Sequence, residues 1–161
     1  MHSSVFEMSR TPVPISERVR VGHLPDWFYE QVCDFAENPD LDRRRAAIGQ
    51  LSGQLGTLCR MEGDRLAISP QIRAVYFNKS YNDFKAAAKT LSRTGYKEFS
   101  EYRADSVLLS ALDRLNSSYE DKRGIYVYLT ESGELVTLDR WLRTADFSRP
   151  FYIGGTINYH C

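Results

Sequence analysis

The stretch that decides the fold reads Gly124-Ile125-Tyr126-Val127-Tyr128-Leu129-Thr130, then Glu131-Ser132-Gly133-Glu134, then Leu135-Val136-Thr137-Leu138. Aliphatic residues alternate with tyrosine and threonine on both sides of the Ser132-Gly133 turn signal, which is typical of a β-hairpin. A turn centred on that dipeptide places Leu129 opposite Val136 and Tyr128 opposite Thr137. The pattern predicts a hairpin with one aliphatic face and one tyrosine face.

A further strand is predicted after the hairpin, from the run Phe151-Tyr152-Ile153-Gly154-Gly155-Thr156-Ile157-Asn158-Tyr159-His160-Cys161. The Gly154-Gly155 pair inside this run indicates a β-bulge. Between the hairpin and this strand, Thr137 or Asp139 can cap a short helix that carries Trp141. The C-terminal segment therefore predicts three strands and one helical turn.

Helical spacing with a cap or stop residue occurs four times upstream, beginning at Asp26, Asp40, Ser69-Pro70 and Asp105 or Ser106. The first pattern continues through Phe35 and Ala36. The second contains Gly49 and Gly53, and these glycines predict close approach of another helix or strand. Together these patterns predict four helices before the hairpin.

A short strand is predicted near the N-terminus at residues 5–8, and residues 18–21 are predicted to form an edge strand or an extended arm. With the elements above, they predict an α+β fold. We expect four or five helices packed on a small antiparallel sheet, formed mainly by the C-terminal hairpin and final strand. The length of 161 residues predicts a single domain, 1–161.

Composition excludes several classes of function. The chain has 21 basic and 21 acidic residues, so no strong overall field draws it to a charged partner. No apolar run approaches the roughly 20 residues needed to cross a bilayer, and the first residues do not read as a signal peptide. Three widely spaced cysteines, Cys33, Cys59 and Cys161, do not form a disulfide framework. We therefore expect a cytoplasmic protein with no membrane partner.

Catalytic signatures are absent from the sequence. It contains no phosphate-binding glycine loop, no His-Glu-x-x-His, no Cys-x-x-Cys and no Gly-x-Ser-x-Gly. Cys33 lies among acidic residues and Cys59 on an apolar stripe, so neither suits a nucleophile. We expect no catalytic residue, no cofactor and no metal site. An enzyme of unrecognised type remains an alternative, with His23 or His160 as its base.

Aromatic and guanidinium groups are densest near the C-terminus. The residues that suit a partner-binding surface are Tyr126, Tyr128, Arg140, Trp141 and Arg143. Tyr, Trp and Arg dominate the binding energy of many protein–protein interfaces. The alternative is that a helix covers the tyrosine face and these residues complete the core.

A basic stripe is formed by Lys85, Lys89 and Arg93, which recur at four-residue spacing and so share one helical face. Tyr81 and Tyr96 flank it, and cations beside aromatic rings can hold phosphates and stack bases. The same stripe also fits an ordinary solvated helix face. The acidic residues Asp26, Glu30 and Asp34 show equivalent spacing, and a solvated face is the simpler interpretation there too.

The last quarter of the chain resembles small uncharacterised proteins carried on bacterial mobile elements. The resemblance rests on Gly124–Leu129, on Leu135–Leu142 and on Phe151–His160. No catalytic or binding residue is carried over by it. It implies a cytosolic accessory protein that blocks a host defence system by binding it.

The sequence thus predicts a small, soluble, non-enzymatic protein that binds another protein. Nucleic-acid binding through Lys85, Lys89 and Arg93 is the first alternative, and an enzyme of unrecognised type is the second. Assembly into a homo-oligomer is left open, because no residue pattern decides it.

Overall fold

The computed structural model describes residues 2–103, 106–119 and 124–160. The strands in these ranges are β1 His2–Ser9, β2 Phe35–Glu37, β3 Cys59–Glu62, β4 Arg65–Ile68, β5 Tyr126–Leu129, β6 Glu134–Thr137 and β7 Phe151–His160. The α-helices are α1 Asp26–Gln31, α2 Leu41–Leu55, α3 Ile72–Tyr76, α4 Asn78–Ser92, α5 Tyr96–Ser100, α6 Val107–Tyr119 and α7 Leu138–Thr144. The α+β class is confirmed, although the described part has seven α-helices rather than four or five.

The sheet is larger than predicted, and it is mixed. Its order is β3-β4-β7-β1-β5-β6, with β2 also beside β7. The N-terminal strand β1 pairs antiparallel with β7 and parallel with β5, so that Val5 lies between Ile157 and Tyr126. The prediction of an antiparallel sheet formed mainly by the C-terminus is therefore wrong. A parallel pair needs a long connection, and the chain between β1 and β5 supplies one.

The hairpin register differs by two residues from the predicted one. Val127 pairs with Val136, and Leu129 pairs with Glu134. The turn spans residues 130–133, because the N–H of Gly133 donates to the carbonyl of Leu129 at 2.8 Å and Gly133 has a φ of +69°. A shift of two leaves every side chain on its predicted face, since strand side chains alternate with a period of two.

The predicted bulge at Gly154-Gly155 is confirmed. Pairing shifts between Phe6–Thr156 and Met8–Ile153, which leaves both glycines opposite Glu7. The Glu7 side chain is 2% exposed, and one carboxylate oxygen accepts the N–H groups of Gly155 at 2.5 Å and Val19 at 2.9 Å. We call these two hydrogen bonds to Glu7 the Glu7 clasp. The clasp holds Val19, in the segment after β1, against the sheet.

The clasp also explains why residues 18–21 are not the predicted edge strand. The Val19 amide bonds to the Glu7 carboxylate rather than to a neighbouring strand. Single 3₁₀ turns, Ile15–Glu17 and Val21–His23, lie on either side of it. A side-chain acceptor has replaced strand pairing at this point.

The first predicted helix is shorter than expected. Its N-cap is Pro25 rather than Asp26, and it ends at Gln31. Phe35 and Ala36 belong to β2, because the N–H of Asp34 donates to the carbonyl of His160 and the chain then pairs with β7. Long-range pairing has overridden the local helical pattern.

The second predicted helix is confirmed as α2. The Asp40 side chain caps it by accepting the N–H of Arg43 at 2.8 Å. The expectation of close approach at its glycines is wrong, since a Cβ on Gly49 or Gly53 would meet nothing within 4 Å. These two glycines face open space.

Contacts divide the chain into two units, one formed by Met1–Ile72 with Arg123–Cys161 and one by Arg73–Lys122. We call these the sheet unit and the helical unit. The single-domain prediction stays a prediction, because contacts alone do not measure cooperative unfolding. None of the described helices is long and apolar enough to span a bilayer.

In the helical unit α4 packs against α6, with Ala87 and Ala111 buried. Asp83 on α4 joins the two helices by accepting from Lys79 at 2.7 Å and from Arg114 of α6 at 2.5 Å. Hydrogen bonds from Lys79 and Arg114 hold the pKa of Asp83 below its usual value. This bridge is therefore intact at neutral pH and is lost only as the pH falls through the lowered pKa.

Candidate functional site

Trp141, predicted to anchor a partner, lies in the core. Its side chain is 1% exposed and meets Phe147 and Phe151 edge-on, with ring centroids 5.5 and 5.0 Å away. Its indole nitrogen Nε1 has no hydrogen-bond partner within the described ranges. Of its neighbours in the predicted set, Arg140 is exposed and Arg143 is half-buried.

Tyr126 and Tyr128 lie on the other face of the sheet and are half-buried. Helix α1 covers this face, since its Phe28 packs edge-on against Tyr126 and Tyr159. The distances between ring centroids are 5.1 and 5.0 Å. The five predicted residues therefore do not form one surface. The three aromatic members fit the alternative in which they complete the two faces of the core.

The predicted basic residues lie together on the helical unit. Lys85 and Lys89 are exposed on α4, and exposed Arg93 is its C-cap. They lie on the side of α4 opposite buried Ala87, at intervals of about 6 Å along the helix axis. None of the three forms an ion pair with a described carboxylate. The ion pairs described for α4 are formed by Lys79 and Asp83.

Exposed aromatic rings accompany these cations. The exposed fractions are 59% for Tyr81, 86% for Tyr96, 74% for Phe99 and 84% for Tyr102. Residues 84–97 contain four basic residues and no acidic one. We call residues 81–102 the basic–aromatic segment.

Sequence reasoning identified Tyr81 and Tyr96 as flanking residues but missed Phe99 and Tyr102 as surface groups. The available signal was the three-residue spacing from Tyr96 to Phe99 and from Phe99 to Tyr102. Tyr96 and Phe99 lie on the five-residue helix α5, and Tyr102 lies beyond its end. So short a helix cannot bury its two rings by itself, and contiguous exposed apolar groups often mark interaction sites.

Other candidate groups are not arranged for catalysis. His23 and His160 are both exposed, which argues against the enzyme hypothesis built on them. Cys33 is buried, and burial raises the pKa of the half-buried Cys59 thiol. A raised pKa disfavours the thiolate that a nucleophile needs. Cys161 lies outside the described residues.

Acidic residues do not converge on a metal site in the described part of the chain, where no group of three or more His, Cys, Asp or Glu is placed to hold an ion. Asp26 and Glu30 are exposed on α1. Asp34 lies beyond the end of this helix, so the predicted three-residue acidic stripe is only two residues long.

Comparison of the chain with protein-family models, with curated proteins and with solved structures finds no match. The resemblance to proteins of mobile elements therefore stays a prediction. The basic–aromatic segment brings exposed tyrosine, phenylalanine, lysine and arginine side chains together within one described stretch of the chain.

Proposed function

We propose that this protein is a non-enzymatic binding protein that engages an acidic surface of another protein through the basic–aromatic segment. The observation that carries the proposal is the exposure of Tyr96, Phe99 and Tyr102 next to residues 84–97, which hold four cations and no acidic residue. Glu98 and Glu101 lie between the rings, so the positive charge is confined to that run. Rings that lie in solvent have much apolar area to bury when a partner covers them.

The two kinds of group have different roles in this proposal. Aromatic anchors supply most of the binding energy at a typical interface. Rim charges such as Lys85 and Lys89 act mainly on the association rate and on the choice of partner. An acidic surface is favoured for the part of the partner that meets residues 84–97, because the four cations of that run would repel a basic surface.

The experiment is affinity capture from the source cell, followed by a binding measurement with the captured protein. We expect Tyr96→Ala to weaken binding by about tenfold, the usual effect of removing an aromatic anchor. Lys89→Glu should slow association and reduce its salt dependence. Arg60→Glu is the control for the same charge change elsewhere in the chain, since Arg60 is exposed on the edge strand β3, where it pairs with Glu62 at 3.0 Å.

Equal capture by wild type, Tyr96→Ala and Lys89→Glu would contradict this assignment. A captured component of a host defence system would support the more specific role implied by the resemblance. We propose the cytoplasm as the site of action, because Cys33 and Cys59 are free thiols.

Nucleic-acid binding is the second candidate function, and the spacing of Lys85, Lys89 and Arg93 on one exposed face favours it. Phosphate contact predicts an affinity for single-stranded DNA or RNA that falls steeply as salt rises. Lys89→Ala should reduce the slope of log affinity against log salt by about 1. A gel-shift series in increasing salt measures this, and the absence of a shift at low salt would exclude the function.

A further inference from the structure

The face of the sheet beneath the first half of α2 is polar, although a helix lies over it. Glu37 on β2, Asn158 on β7 and Ser4 on β1 are directly opposed in the ladder and so share this face. The hydroxyl of Ser4 donates to Oδ1 of Asn158 at 3.1 Å. The nitrogen of the Asn158 amide is left to donate elsewhere. Polar side chains between a helix and a sheet are costly unless they have partners.

A groove lies over this polar row. On the helix side it is lined by Ala46, Ala47 and Gln50, and the two alanines leave the space that larger residues would fill. Its volume is about 360 Å³, which is enough for a small molecule. Towards its C-terminal end, α2 carries buried Leu51 and Leu55. The helix is therefore packed on the sheet at its C-terminal end, and the groove lies under its N-terminal half.

The mouth of the groove carries one charge of each sign. Arg43 donates to the Glu37 carboxylate at 2.7 Å, and both side chains are substantially exposed. Nε of Arg43 also lies 3.9 Å from Oδ2 of Asp40, which does not line the groove. An exposed pair of this kind contributes little to stability. A ligand with one positive and one negative group can replace this pair. Arg43 then pairs with the negative group and Glu37 with the positive group, so neither side chain loses a partner.

We propose that this groove binds a free polar α-amino acid. Arg43 takes the α-carboxylate and Glu37 takes the α-ammonium, while Asn158 and Gln50 bind a polar side chain such as a carboxamide. Planar guanidinium suits a carboxylate because it donates two parallel hydrogen bonds. The site lies in the sheet unit and is independent of the protein-binding function proposed for the helical unit.

L-glutamine is the probe, with binding followed by two-dimensional amide NMR of the whole chain. We expect saturable shifts at millimolar concentrations, confined to residues near Ser4, Arg43, Gln50 and Asn158. N-acetyl-L-glutamine lacks the ammonium and L-glutamine amide lacks the carboxylate, so each should bind about tenfold or more weakly. Glucose tests for a site that binds polyols instead.

Arg43→Gln should weaken L-glutamine binding by about tenfold or more. Arg45→Gln is the matched control, since Arg45 is exposed on the same helix, pairs with Asp42 and does not line the groove. Both variants alter exposed side chains, and circular dichroism will verify that they fold. The proposal is overturned if no saturable shift occurs, if the N-acetyl compound or the amide binds as well as L-glutamine, or if Arg43→Gln binds L-glutamine as well as wild type. Binding of glucose without L-glutamine would overturn it as well.

Discussion

Gly155→Ala is expected to destabilise the sheet unit by about 3 kcal/mol, the upper part of the range for overpacking a buried site. A Cβ at this position would lie 2.2 Å from the carbonyl oxygen of Val19 and 2.9 Å from its side chain. The obstacle is backbone, so it cannot turn aside as a flexible side chain would. Relieving the clash must pull Val19 from the sheet and break its bond to Glu7.

Urea unfolding followed by tryptophan fluorescence measures this effect, because both tryptophans, Trp27 and Trp141, lie in the sheet unit. Gly53→Ala is the matched control. It adds the same methyl group where nothing lies within 4 Å, and it should stabilise by up to about 1 kcal/mol through helix propensity. If Gly155→Ala left the midpoint within error of wild type, the clasp described for Glu7 would be incorrect.

Trp141→Ala is expected to lower the free energy of unfolding by about 3–5 kcal/mol, the usual cost of truncating a fully buried tryptophan. The loss follows from the cavity left beside Phe147 and Phe151. Trp141→Phe should recover much of it, because phenylalanine keeps ring contacts and removes an indole N–H without a described partner.

Urea unfolding followed by circular dichroism checks this without relying on the replaced fluorophore. Phe99→Ala serves as the control, since an exposed side chain at 74% should change stability by less than about 0.5 kcal/mol. Comparison of Trp141→Ala with Phe99→Ala thus distinguishes the loss of a buried ring from the loss of an exposed one. A stable Trp141→Ala protein that had lost partner capture would restore Trp141 as a binding anchor and contradict its placement in the core.

Local signals in the sequence predicted local structure well. The Asp40, Ser106 and Thr137 side chains all accept a backbone N–H at the start of the helix expected there. The double glycine at 154–155 predicted the bulge, and the alternation around Tyr126 predicted the two faces correctly despite the wrong register. Each of these signals lies within a few residues of the structure that it specifies.

Long-range structure could not be predicted in the same way. The sequence of β1 does not indicate that its partners are β5 and β7. The local pattern of Phe35–Glu37 predicts helix, and only the pairing with β7 makes this segment a strand. The exposure of the candidate site residues could not be predicted for the same reason, since it depends on which distant segments pack over them. Composition shows only that Trp141 and Tyr126 are of residue types common at interfaces, whereas their packing shows that other side chains cover them.

The position of β1 has a consequence for the order of folding. Ser4 is bonded to Asn158, 154 positions away, so the middle of the sheet depends on contacts of very high sequence separation. Closing loops of that size is slow compared with forming a helical hairpin from neighbouring residues. The helical unit can therefore form early. During synthesis β1 is made before both of its partner strands, so its two edges stay unpaired until β5 and β7 follow, and unpaired edges favour aggregation or chaperone capture.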